Sequence, residues 1–196
     1  MTDVENTNRV KITMSASKAN VYSILIILPI FIIYYTPYYL INFTDSTIPD
    51  FKNSINTITL EYGFLGLPLL IIGVTIIGIV VHELIHGIFW SYFAKNGYKS
   101  IKFGIVWKAI SPYCHCREPL LVKEYIIGAI MPGVILGLIP TIYSIINDNL
   151  EIFAFGTFFT LAAGGDIILI YLLRNEKMNS RVQDHPSEVG CYVYRE

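Results

Sequence analysis

Apolar residues in this chain come in unbroken runs and not at the spacing of a one-sided helix or strand. Four runs stand out, Val21 to Asn42, Tyr62 to Val81, Tyr125 to Asn147 and Ile152 to Leu173. Each reaches the roughly 20 residues that cross a hydrocarbon layer of about 30 Å at about 1.5 Å per helical residue. The first three hold no Asp, Glu, Lys or Arg, and the fourth holds only Asp166. The pattern predicts four transmembrane helices at about 21–42, 62–94, 125–147 and 152–173. Phe43 to Glu61, with Asp45, Pro49, Asp50 and Asn53, reads as an exposed connector. Ile101 to Ile105 and Val106 to Ile110 alternate imperfectly before Ser111-Pro112. They predict a short β-hairpin lying against the membrane surface, with Trp107 at headgroup level. The expected fold is therefore an all-α polytopic membrane protein with one membrane-associated β-hairpin. A polar segment 1–20 precedes the four-helix domain at 21–174, and a polar tail, 175–196, follows it.

Composition agrees with this reading. Of 196 residues, 54% are hydrophobic and 15% charged, whereas a soluble domain has about 25% charged residues. The 14 basic and 15 acidic residues leave no basic face for nucleic acid, and none is expected as a partner. The first run is longer than a signal core and no small-x-small cleavage site follows it, so it reads as a retained helix. Three cysteines, Cys114, Cys116 and Cys191, form no disulfide framework. Lys and Arg number 3 before the first run, 1, 6 and 0 in the successive connections, and 4 after the last. Basic flanks stay inside, so both termini and the 95–123 loop are expected in the cytoplasm of a multi-pass cell-membrane protein.

The chemistry lies at the end of the second helix, in His82-Glu83-Leu84-Ile85-His86. Two imidazoles four residues apart sit on one helix face, one turn apart, where both can bind one zinc ion, and Glu83 lies beside them as a candidate general base. As interfacial polar residues with no further role, these three side chains would carry a cost of several kcal/mol near hydrocarbon. A catalytic zinc needs a third protein ligand and an open position. The soluble extension of the motif fails, because Phe89 and Tyr92 stand where it requires Gly and His. The candidates left are His115, Glu118, Asp166, Asp184 and His185. Asp166 is favoured by depth: His86 lies nine residues before Lys95 and Asp166 eight before Arg174, so both are about 12 to 14 Å from their inner basic flank. Gly156, Thr160 and Gly164 offer a small face for close helix approach. Pro132, with Gly133-x-x-x-Gly137, interrupts the third helix at similar depth. In Cys114-His115-Cys116, alternation on a strand would point His115 away from both thiols, against a second metal site. His115 is instead a possible substrate or transition-state contact, and Asp184 and His185 read as a solvated turn.

Together with Pro112-Tyr113-Cys114-His115-Cys116-Arg117-Glu118-Pro119-Leu120, Met131-Pro132-Gly133 and Gly164-Gly165-Asp166, the helix motif makes the chain resemble the site-2-type intramembrane metalloproteases. It resembles more closely the related putative zincin peptidase family of small multi-pass membrane proteins. The resemblance spans residues from about 60 to 193. It implies zinc held by His82, His86 and Asp166, Glu83 as base, and a membrane protein or peptide as substrate. Site-2 proteases present their aspartate in an Asn-x-x-Pro-Asp-Gly context, which this chain lacks, so no oxyanion donor is assigned. The expected function is zinc-dependent hydrolysis of peptide bonds near the cytoplasmic side of the bilayer. The alternative is a non-proteolytic binding or chaperone-like protein that retains the metal site. Four histidines are too few for a di-iron hydroxylase, and a transporter would repeat its ligands on several helices.

Overall fold

The structure, a computed structural model, describes residues 9–44, 47–107, 111–185 and 189–195. Strand β1 (Arg9–Met14) leads into helix α1 (Ala16–Asn42), whose first turn is capped by the Ser15 hydroxyl accepting from the Lys18 N–H. Helices α2 (Thr47–Tyr62) and α3 (Gly66–Phe93) follow. A short 3₁₀ turn, Gly97–Ser100, leads to strands β2 (Ile101–Val106), β3 (Ser111–Cys116) and β4 (Leu120–Leu121). Helix α4 (Val122–Pro132) runs through a π-helical segment, Gly133–Leu138, into α5 (Ile139–Asn147). Helices α6 (Leu150–Ala162) and α7 (Gly164–Leu173) and strands β5 (Arg181–Asp184) and β6 (Val189–Tyr194) complete the chain.

The molecule is mostly helical with small antiparallel sheets. Three helical stretches are long and apolar enough to cross a membrane, Val21–Asn42, Gly66–Phe93 and Val122–Asn147; α6 and α7 make a fourth if the pair is one span. Leu25, Leu28, Ile32, Leu69, Ile76 and Ile77 stand exposed on α1 and α3. Such a surface is a liability in water and suits lipid. Polar clasps attach α1 to the bundle: the Tyr34 and Thr160 hydroxyls lie 3.1 Å apart, and the Asn42 amide donates to the Ile145 carbonyl at 2.8 Å.

Four expectations are corrected. Residues 47–62 form a helix and not a loop connector, and α3 starts at Gly66. The fourth run is broken at Ala163, and its halves are bent by 42°. The hairpin exists, but its second strand is 111–116, not 106–110; Ile101 pairs with Cys116 and Ile105 with Pro112. Residues 108–110 of the expected strand lie outside the described residues.

The fourth correction concerns the chain ends, which form a sheet in the order β1-β6-β5-β4. Arg9 pairs with Tyr194, Val182 with Val193, and Leu120 with Val182. Val182, Cys191 and Val193 turn one face inward and are fully buried. They join Trp90, Leu120, Val122, Tyr125 and Leu173 in the main hydrophobic core. That core ties the end of α3 to the start of α4 and the end of α7.

The small face of the fourth run packs on the third and not on the second. A Cβ added at Gly156 would lie 2.8 Å from the Gly137 carbonyl oxygen, and one at Gly137 would lie 2.2 Å from the Thr160 hydroxyl. Absent side chains thus let the two backbones approach closely. Gly164 has nothing within 4 Å of such a Cβ and takes no part.

Candidate metal centre

His82, Glu83 and His86 lie in the second half of α3, and Asp166 lies in the first turn of α7, just beyond the bend at Ala163. The bend is what lets a residue of the fourth run aim its carboxylate across the bundle. His82 Nε2 stands 3.2 Å from Asp166 Oδ2, and His86 Nε2 stands 3.3 Å from Asp166 Oδ1. The two Nε2 atoms are 3.2 Å apart. Donors at about 2.05 Å from a tetrahedral zinc are separated by about 3.3 Å, so these spacings suit one small cation.

The His86 ring is braced on two sides. Its Nδ1 donates to the Gly128 carbonyl at 2.9 Å, which leaves Nε2 with a free lone pair facing the other donors. Its face stacks on Trp90, with centroids 4.8 Å apart and planes inclined by 13°. Gly128 makes room for this, since a Cβ there would lie 2.1 Å from the Trp90 ring. The second nitrogen of His82 is buried and has no such partner among the described residues.

Glu83 is half-buried beside the two histidines and accepts a hydrogen bond from the backbone N–H of Cys114 on β3. The hairpin therefore runs past the carboxylate. His115, the next residue, is not among the converging donors; its Nδ1 lies 3.0 Å from Asp184 Oδ2. Asp184 also accepts a hydrogen bond from the Tyr125 hydroxyl. It is a strand residue with two partners, not part of a solvated turn. Its pairing with Tyr125 escaped sequence reasoning because the two are 59 positions apart.

Among the described residues, the other candidates do not join the converging group. Glu118 accepts from the Ser100 hydroxyl at 2.8 Å, from the Lys95 N–H at 2.8 Å and from the Asn96 amide, closing the turn after α3. The Ser100 hydrogen bond, with those from Asn96 and Lys95, holds its carboxyl below the ordinary value. His185 stacks near Tyr192. Burial pushes the Cys116 thiol up to about 11 and Cys191 up to about 12, and raises Cys114 as well. Among the described residues no cysteine joins a metal-binding group.

A protein-family model described as putative zincin peptidase matches residues 75–181. This is more than half of the chain and includes all three converging residues. The chain belongs to the putative zincin peptidase family. No curated protein and no solved structure matches it. The family places the chain among metallopeptidases, and His82, His86 and Asp166 are the group in this member that could hold the metal. The matched region begins within α3 and ends at the first residue of β5, so α1, α2 and most of the terminal sheet lie outside it.

Proposed function

We propose that this zincin peptidase family member is a zinc-dependent intramembrane metalloprotease that cleaves membrane-associated substrates near the cytoplasmic side of the bilayer. The observation that carries the reading is the convergence of His82 and His86 from α3 with Asp166 from α7, with Glu83 left over beside them. Those three residues would hold the zinc. Bound there, zinc would supply Lewis acidity, polarising a peptide carbonyl and making water acidic enough to lose a proton near neutral pH. Glu83 would accept that proton and pass it to the leaving amine. His115, held by Asp184, is the candidate contact for the substrate or the transition state. The proposal aligns the site with the site-2-type proteases in chemistry, with an unassigned oxyanion donor.

Four crossings support the proposed orientation. Strand β1 precedes α1, β6 follows α7, and the two are hydrogen-bonded neighbours, so both ends of the bundle are on one side. An even number of spans satisfies this, with α6 and α7 forming one bent span. The excess of Lys and Arg before α1, between α3 and α4, and after α7 assigns that side to the cytoplasm. The exposed apolar surfaces of α1 and α3 would face the lipid of the cell membrane.

Co-expression with a panel of single-span membrane proteins tests the function. A shortened product is expected, and chelating zinc should abolish it. Reporters fused after Lys102 and Asn149 should read as cytoplasmic and extracytoplasmic, respectively. A panel left uncut by zinc-loaded protein would favour the non-proteolytic reading, and a cytoplasmic signal at Asn149 would break the four-span arrangement.

A further inference from the structure

The terminal sheet lies mostly outside the family-matched residues, yet one of its side chains reaches toward the metal centre. Asp184, on β5, accepts from the Tyr125 hydroxyl with one oxygen and faces His115 Nδ1 with the other. Tyr125 is fully buried at the start of α4. Its ring stacks on Trp90 with centroids 5.2 Å apart and planes inclined by 17°, and its carbonyl accepts the Trp90 indole N–H at 3.1 Å. The opposite end of this ladder is His86, stacked on Trp90 and bonded through Nδ1 to Gly128, one turn beyond Tyr125 on α4. The hydrogen bond at His86 Nδ1 and the ring stacked on its face thus both come from α4 or through a ring seated on α4.

The same segment also fixes the start of α4 through its backbone. The Val122 and Lys123 N–H groups donate to the Ser180 and Met178 carbonyls at 2.9 and 3.1 Å, filling donors that a helix start leaves open. These bonds would persist without the Asp184 side chain. Packing alone does not require the carboxylate–hydroxyl pair either, since Phe at position 125 would fill nearly the same volume. A buried carboxylate is costly unless it is partnered, and here the Tyr125 hydroxyl donates to one oxygen while His115 Nδ1 stands 3.0 Å from the other.

We propose that Asp184 is a positioning residue for the metal centre. By fixing Tyr125 it holds the Trp90 ring, and through that ring the His86 imidazole, in the orientation that presents Nε2 to the metal. The inference rests on the proposed zinc site, and it makes the C-terminal strand part of that site. Outer partners of this kind are worth roughly 10- to 100-fold in metal affinity.

Zinc affinity of the purified full-length chain, measured by competition against a fluorescent chelator, tests the link without any cleavage assay. Asp184→Ala and Tyr125→Phe are each expected to weaken zinc by about 10- to 100-fold. The double variant should be no weaker than Asp184→Ala, because both changes break one connection. Gln183→Ala removes side-chain bonds to the Arg117 carbonyl and the Tyr194 hydroxyl from the same strand, and it should bind zinc as the unaltered chain does. In a Trp107→Phe background Trp90 is the sole tryptophan. Its fluorescence should respond to zinc, and the response should shrink in Tyr125→Phe. Unaltered affinity in both Asp184→Ala and Tyr125→Phe would overturn the proposal. Equal weakening by Gln183→Ala would also overturn it, because sheet stability would then be the cause. An unaltered chain that binds no zinc would instead overturn the metal centre itself, and this inference with it.

Discussion

Glu83→Gln is expected to keep its zinc and its fold and to lose cleavage by roughly 10²- to 10⁴-fold, the usual contribution of a general base. Gln matches Glu in size and can still occupy the place beside the histidines, but it takes up no proton. The hydrogen bond from the Cys114 N–H has an acceptor in the amide oxygen as well, so the hairpin should stay in place. Cleavage of a single-span substrate and zinc content, measured on the same preparation, check this. A Glu83→Gln variant that cleaves at the original rate would remove Glu83 from the chemistry. Loss of its zinc would make it a ligand instead.

Asp166→Ala is expected to lose zinc and activity together. Removing a ligand should cost more affinity than the roughly 10- to 100-fold lost with an outer partner, and His82 with His86 would be left as an incomplete set. Asp166→Asn should fall between, because a neutral amide oxygen is a weaker donor to zinc. Asp166 faces both imidazoles at 3.2 and 3.3 Å, so its loss also removes the neighbour against which both buried rings are placed. Near-ultraviolet circular dichroism on the zinc-free protein separates loss of metal from loss of packing. Full zinc and full cleavage in Asp166→Ala would send the search for a third ligand elsewhere.

What was legible in the sequence was whatever is local or is fixed by the bilayer. The apolar runs announce themselves by length, and H-E-x-x-H is a matter of helical spacing. Asp166 was within reach because, in the four-span arrangement the apolar runs predict, the second and fourth helices share a depth scale. Contacts between distant segments were not legible. The alternation of Cys191 and Val193 in the tail looks like isolated apolar residues until Val10 and Val182 pair beside Val193. Pro112 sits within the strand at 111–116, because a two-stranded hairpin has only edge strands, where a missing N–H is tolerated. The break at Ala163 had a signal in the small residues Ala162-Ala163-Gly164-Gly165, outweighed by the unbroken hydropathy around them. Helix α2 was hidden by Asp50 and Asn53, turn formers that a helix also accepts on an exposed face.

In the proposed centre, one zinc ion is held by two imidazoles from α3 and a carboxylate from α7. Zinc-edge X-ray absorption on the purified protein tests it most directly, since it reads the ligand atoms themselves. Nitrogen and oxygen donors are expected at about 2.0–2.2 Å, with the outer-shell scattering of two imidazoles that disappears in His82→Ala/His86→Ala. Sulfur at about 2.3 Å would contradict it, because the zinc would then sit on the cysteines and not on His82, His86 and Asp166.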